Sequence, residues 1–172
     1  LIDPFCGTGT IPIEAAMLAR RIAPGINRNF VSEQWPNSDP SDWQRAREEA
    51  RDMTLPESVT RILGTDIDAH ALKLARHHAE SAGVADCIHF QTRSFSSLSS
   101  RRRYGCIVCN PPYGVRVSNQ EDVDALYAEF PLVLRRLPTW SHYVLTSHPT
   151  FRLGSSACRL LLVPSFLCGG EH

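Results

Sequence analysis

Lysine is almost absent from this chain: of eighteen basic residues only Lys73 is not an arginine. Net charge is absent too, because eighteen acidic residues cancel the eighteen basic ones. That balance argues against a protein that grips nucleic acid by bulk electrostatics, and against a polybasic membrane binder. No apolar run approaches the roughly 18 residues needed to span a bilayer. There is no initiator methionine, and Leu1 already lies inside an apolar-then-turn pattern. No signal peptide is therefore expected, and the chain reads as a piece of a longer protein. What is present is 172 residues, 42% hydrophobic and 21% charged, with 10 Gly and 12 Pro. That is the make-up of one packed domain. The arginine bias suits phosphate recognition, but codon composition explains such a bias equally well.

The six cysteines do not form the dense pattern of a small disulfide scaffold. Cys106 and Cys109 make a C-x-x-C inside an apolar run that reads as a buried strand. Residues three apart on a strand point to opposite faces, so the two cannot share a metal. No metal site and a reduced, cytoplasmic protein are the expectation.

Strand and helix signals alternate along the chain. Residues 1–3 end a strand, and a glycine-rich turn over residues 4–10 leads into a helix over residues 11–22, with apolar positions at helical spacing. An irregular stretch over residues 23–40 follows. Ser41-Asp42-Trp43-Gln44 has the form of a capping box and predicts a helix to about Met53. Strands are predicted over residues 60–66, 87–91, 104–109 and 142–147, and helices over 69–82 and 122–137. Asp68 is read as the cap of the first of these helices and Gly83 as its stop. The pattern implies βαβ units and a parallel sheet. Residues 158–163 read as one more strand. Residues 94–103, rich in serine and arginine, read as a solvated connection.

Two segments fall just past strand ends, where open α/β sheets bind ligands. The first is Asp3-Pro4-Phe5-Cys6-Gly7-Thr8-Gly9-Thr10. Gly7 and Gly9 permit close backbone approach, and the following helix turns its N-terminus toward a ligand. The third glycine of a dinucleotide fingerprint and the lysine of a phosphate loop are both missing. A carboxylate at Asp3 suits a positively charged ligand better than a pyrophosphate. Asp66, ending the second strand, stands where such folds reach a ribose hydroxyl pair. These features point to S-adenosylmethionine rather than a nicotinamide.

The second segment is Asn110-Pro111-Pro112-Tyr113-Gly114. Consecutive prolines stiffen the chain and remove N–H donors. The Asn110 side-chain oxygen and the Pro111 carbonyl can then both accept from one exocyclic amino group, and Tyr113 offers a face on which a flipped base stacks. The histidines show no ligand-like arrangement. Arg101 to Arg103 and Arg135-Arg136 read as solvated faces.

Together with Ile13-Glu14-Ala15-Ala16 and Thr65-Asp66-Ile67-Asp68, these segments resemble the class I methyltransferase domain of the THUMP-linked RNA guanine-N2 methyltransferases, in particular the bacterial large-subunit rRNA group. The resemblance covers residues 1–151 and leaves a divergent tail over 152–172. It implies a Rossmann-like α/β fold, a mostly parallel sheet with helices on both faces, its last strands truncated or reshaped. It implies one catalytic domain over 1–172, with S-adenosylmethionine as cofactor and RNA as partner, held by an N-terminal THUMP module outside this chain. Asp3, Phe5, Gly7, Thr8, Gly9 and Asn110 are then cofactor residues, with Asp66 on the ribose and Ile67 on the adenine. Asn110, Pro111, Pro112 and Tyr113 are the expected catalytic set, methylating guanine N2 in 23S rRNA.

Where the family often has an acidic residue after the third strand, meeting the adenine amine, this chain has Arg93-Ser94-Phe95. Two other readings share these motifs: an N6-adenine DNA methyltransferase, and a methyltransferase-fold binding module without catalysis.

Overall fold

The computed structural model describes residues 1–112, 120–146, 151 and 158–162. Its centre is a six-stranded sheet in the order β3-β2-β1-β4-β5-β6. The strands are β1 (Ile2–Asp3), β2 (Ile62–Asp66), β3 (Ile88–Thr92), β4 (Cys106–Cys109), β5 (Ser141–Thr146) and β6 (Cys158–Leu162). Every neighbouring pair is parallel. The strand order reverses between β1 and β4, and such a switch point opens a crevice beyond the carboxyl ends of the strands. Asp3 and Asn110 close those two strands, which puts both motif segments at its rim.

Alternation along the strands sorts the core into two faces. Ile2, Ile107, Cys109 and Val144 face a cluster with Phe95, Leu98, Val123, Tyr127, Phe130 and Trp140. Ile62, Ile88 and Phe90 face a second cluster with Ala16, Leu72, Ala75, Ala79 and Val84. Helices α1 (Thr10–Ala19) and α3 (Ala69–Ser81) supply the second cluster, and α4 (Gln120–Leu134) supplies the first. The expected Rossmann-like α/β arrangement, with helices on both faces, is what the chain adopts. The Cys106 and Cys109 pair behaves as expected: Cys109 belongs to the aromatic cluster, while Cys106 is only half-buried. No group of ligand-type side chains is placed to hold a metal among the described residues.

Two local expectations are corrected. The helix α2 (Pro40–Asp52) starts ahead of Ser41, because the Asp39 side chain accepts from the Ser41 N–H at 2.8 Å and Pro40 fills the first helical position. Residues 94–103 are not simply a solvated connection. A 3-10 turn over Phe95–Ser97 drives Phe95 and Leu98 into the core, at 3% and 1% exposure. Asp68, in contrast, caps α3 as expected, accepting from the His70 N–H at 2.8 Å.

Helix α2 buries no residue. It is held by the Phe30–Trp43 ring contact at 5.6 Å and the Arg47–Glu33 ion pair. Further along, the Arg20 guanidinium donates to the Leu55 carbonyl at 3.1 Å. No described helix is long and apolar enough to cross a membrane.

Candidate functional site

Two contacts tie the glycine-rich turn to β2, and a third joins β2 to the start of α3. The Cys6 N–H donates to the Thr65 carbonyl at 3.0 Å, the Gly7 N–H to Asp66 Oδ2 at 2.9 Å, and Asp66 Oδ1 accepts from the Asp68 N–H at 3.0 Å. Asp66 therefore organises the turn and the start of α3 while its half-buried carboxylate still borders the cleft. The two glycines do different work. Gly9 has φ +91°, and a Cβ there would lie 3.1 Å from Ala75 Cβ and 3.3 Å from the Phe90 ring. Its service is close packing of the turn against α3 and β3. Gly7 has φ +50° with nothing within 4 Å of the Cβ position, so the open space lies in front of Gly7.

Asp3 is 1% exposed and accepts from the Phe5 N–H at 3.1 Å. Burial, together with the nearby Asp66 carboxylate, pushes its carboxyl up to about 7, against the pull of the Phe5 N–H. No described cation pairs with it. A buried carboxyl near half-ionisation, beside an open glycine turn, fits a cationic ligand and repels an anionic one. Burial and the same two carboxylates push the Cys6 thiol up to about 12, so Cys6 is packing rather than a nucleophile.

A cleft of about 550 Å³ opens at the ends of β2, β3 and β4. Phe5, Asp66, Ile67, Asn110 and Pro112 line it, as do Pro4, Ser94 and Phe95. Ile67 is 76% exposed, an apolar side chain presented to the opening. Asn110 is exposed, and its amide has no partner among the described residues. Asp3, Gly7, Thr8, Gly9 and Pro111 are not part of the lining. Pro111 is buried, and the Thr8 carbonyl lies 3.1 Å from His78 Nδ1. Tyr113 and Gly114 lie outside the described residues.

One wall of the cleft was not foreseen. Asp122, Ala125, Leu126 and Glu129 of α4 form it. Their spacing is that of a single helical face, yet nothing in the sequence says which side of the sheet that face meets.

Residues 1–157 match the family model for an RMKL-like methyltransferase domain (UPF0020). A Bacillus subtilis relative named "Putative RNA methyltransferase YpsC" is 40% identical over 87% of this chain and 39% of its own length. The Ribosomal RNA large subunit methyltransferase K/L of Legionella pneumophila is 40% identical over 87% of this chain and 21% of its own. The chain thus spans well under half the length of these relatives. Among solved structures, a Listeria monocytogenes protein titled as an N6-adenine-specific DNA methylase superposes with TM-score 0.79 at 45% identity, over 87% of this chain and 40% of that one. SMU.472, titled as a methyltransferase and solved with SAH bound, gives TM-score 0.80 at 36% identity over the same shares.

Proposed function

Given that the chain belongs to the RMKL-like methyltransferase domain family, we propose that it transfers a methyl group from S-adenosylmethionine to an exocyclic amino group of an RNA base, guanine N2 in large-subunit rRNA. The observation that carries this reading is the Asn110 amide, without a partner among the described residues, in a cleft it shares with Asp66 and Ile67. The fit of the cofactor rests on the buried, cation-free Asp3 and the empty space before Gly7.

When bound, the cofactor supplies a methyl already activated on sulfonium sulfur. The protein is left to hold and aim the amine. Asp3, Gly7 and Gly9 would hold the cationic methionine end, Asp66 the ribose, and Ile67 would pack on the adenine. Asn110 Oδ1 and the Pro111 carbonyl accept from the two N–H bonds of the target amine. This points its lone pair along the transfer axis and stabilises the positive charge that develops on nitrogen. The proton lost afterwards goes to water, so no strong base is needed. Pro112 stiffens the segment, and Tyr113 would offer a ring face on which the base stacks. RNA affinity comes from a THUMP module outside this chain, which accommodates its zero net charge.

The Listeria relative supports a second reading, N6-adenine methylation of DNA, because the same acceptors serve either amine. Radiolabelled methyl transfer to rRNA, tRNA and DNA, followed by nucleoside analysis, decides between them. N2-methylguanosine from rRNA is the expected product; N6-methyladenine in DNA overturns the RNA reading. Asn110→Ala is expected to lower transfer at least 100-fold while calorimetric cofactor binding persists. Loss of both together contradicts the role given to Asn110.

A further inference from the structure

The α4 wall of the cleft carries two carboxylates, Asp122 and Glu129, and neither has a hydrogen bond or ion pair among the described residues. They stand seven residues apart, about 10 Å along the helix. Asp122 is exposed, and Glu129 is half-buried. Two contacts place the Glu129 end of α4 against the segment that follows β3. The ring of Phe130 lies 4.4 Å from that of Phe95, and the Arg136 guanidinium donates to the Ser96 carbonyl at 2.6 Å.

That segment offers little of its own to a ligand amine. The Ser94 hydroxyl is engaged with Ser96 Oγ at 2.9 Å. The Arg93 guanidinium turns into its own loop, donating to Ser97 Oγ at 3.1 Å, to the Ser97 carbonyl and to Ser99 Oγ. It therefore does not neutralise Glu129. The strand order supplies the direction. β3 is the outer neighbour of β2, about 4.8 Å away, so a ribose held on Asp66 would have the end of β3 within reach of its base. The same cleft that Asp66 borders is lined by the apolar side chains of Ile67, Phe95 and Leu126, which suit the faces of a base, and by Glu129, which suits a donor on its edge. A carboxylate is acceptor-only, so it recognises a base edge that presents a donor; on adenine that donor is the exocyclic amine.

We infer that Glu129 is the hydrogen-bond acceptor for the exocyclic amine of the cofactor's adenine. This inference rests on the S-adenosylmethionine reading above, and it makes α4 the source of purine selectivity in this cleft.

Calorimetric titration of the chain with S-adenosylhomocysteine and with its 6-deamino purine analogue tests it. The parent is expected to bind the adenine form roughly tenfold or more tightly, the usual scale for a hydrogen bond to a charged group. Glu129→Ala is expected to bind the two ligands equally. Glu129→Gln, whose amide oxygen still accepts, keeps part of the preference, and Ser94→Ala keeps all of it. Each preference is a ratio within one protein, so a general loss of stability does not imitate the effect. A parent that binds both ligands alike, a Glu129→Ala variant with the parental ratio, or a Ser94→Ala variant that loses the ratio overturns the inference. A parent that binds neither ligand overturns the cofactor reading with it. Loss of the preference in Glu129→Ala sustains the inference even if the chain proves to methylate no RNA.

Discussion

On one face of the sheet the core is aromatic: Phe5, Phe95, Tyr127, Phe130, Trp140 and Phe151 gather there, with ring centroids as close as 4.4 Å. On the other, the helices present small residues to the sheet, Ala16, Ala75 and Ala79, which pack with Leu72, Val84 and the strand residues Ile62, Ile88 and Phe90. The small side chains let α1 and α3 lie close to the sheet and to each other, and Gly9 fits only because Ala75 is opposite it. The aromatic side chains set α4 against the sheet through bulky rings, and the cleft lies between that helix and the strand ends. One face therefore holds the turn in shape, and the other makes room for a ligand. The division of labour is one of side-chain volume.

The largest break in this contrast is expected from Phe130→Ala. The ring contacts Phe5, Phe95, Tyr127 and Phe151, and its removal leaves a cavity under the cleft. A loss of about 3–5 kcal/mol is expected in denaturant unfolding. A loss below about 1 kcal/mol would mean that the aromatic face collapses freely, and that its volume does not shape the cleft.

Next comes Asp3→Asn, which alters the buried carboxyl where β1 meets the turn. The folded carboxyl, at about 7, lies above its ordinary 3.8, so the folded state holds this proton more tightly than the unfolded one. Its stabilising contribution is complete below about 4 and is lost as pH rises through about 7. The ligand-free parent should therefore lose stability relative to Asp3→Asn across that window, as urea midpoints at stepped pH will show. Cofactor affinity should run the other way. It strengthens in the parent as Asp3 ionises between pH 6 and pH 8, and stays flat in the variant.

The smallest of the three effects is expected on the alanine face. Ala75→Leu forces extra carbon against Gly9 and should cost about 1–3 kcal/mol. Because Gly9 anchors the turn, cofactor affinity should fall as well. Unchanged affinity in a destabilised variant would show that the turn holds its shape without α3.

Much of this was legible in the residue order. Strand–helix alternation announced a parallel sheet. Asp68 announced its cap because an aspartate ahead of an apolar-periodic run has few other uses. The motif residues Phe5, Asp66, Ile67, Asn110 and Pro112 do meet in one cleft. The start of α2 was misjudged because Asp39-Pro40 and Ser41 are both plausible openings, and only the Asp39 hydrogen bond distinguishes them. Residues 94–103 concealed a core anchor, since single apolar residues among serines and arginines show no period. The pairing of Gly9 with Ala75 joins residues far apart in sequence, and no local pattern signals it.

The near-absence of lysine and of net charge excludes a chain that works by bulk positive charge, while the motifs at the strand ends lie within the match that shows its family. Sequence alone determined the alternation of elements, the Asp68 cap of α3 and the chemical types gathered at the strand ends, because these follow from local backbone preference and periodicity. Tertiary structure alone decided that Gly7 faces open space while Gly9 faces Ala75, that Asp3 is buried with no cation beside it among the described residues, and that α4 walls the cleft with Glu129. Those outcomes depend on how helices of different side-chain volume dock on the two faces of one sheet, a property of packing that the order of residues along the chain does not display.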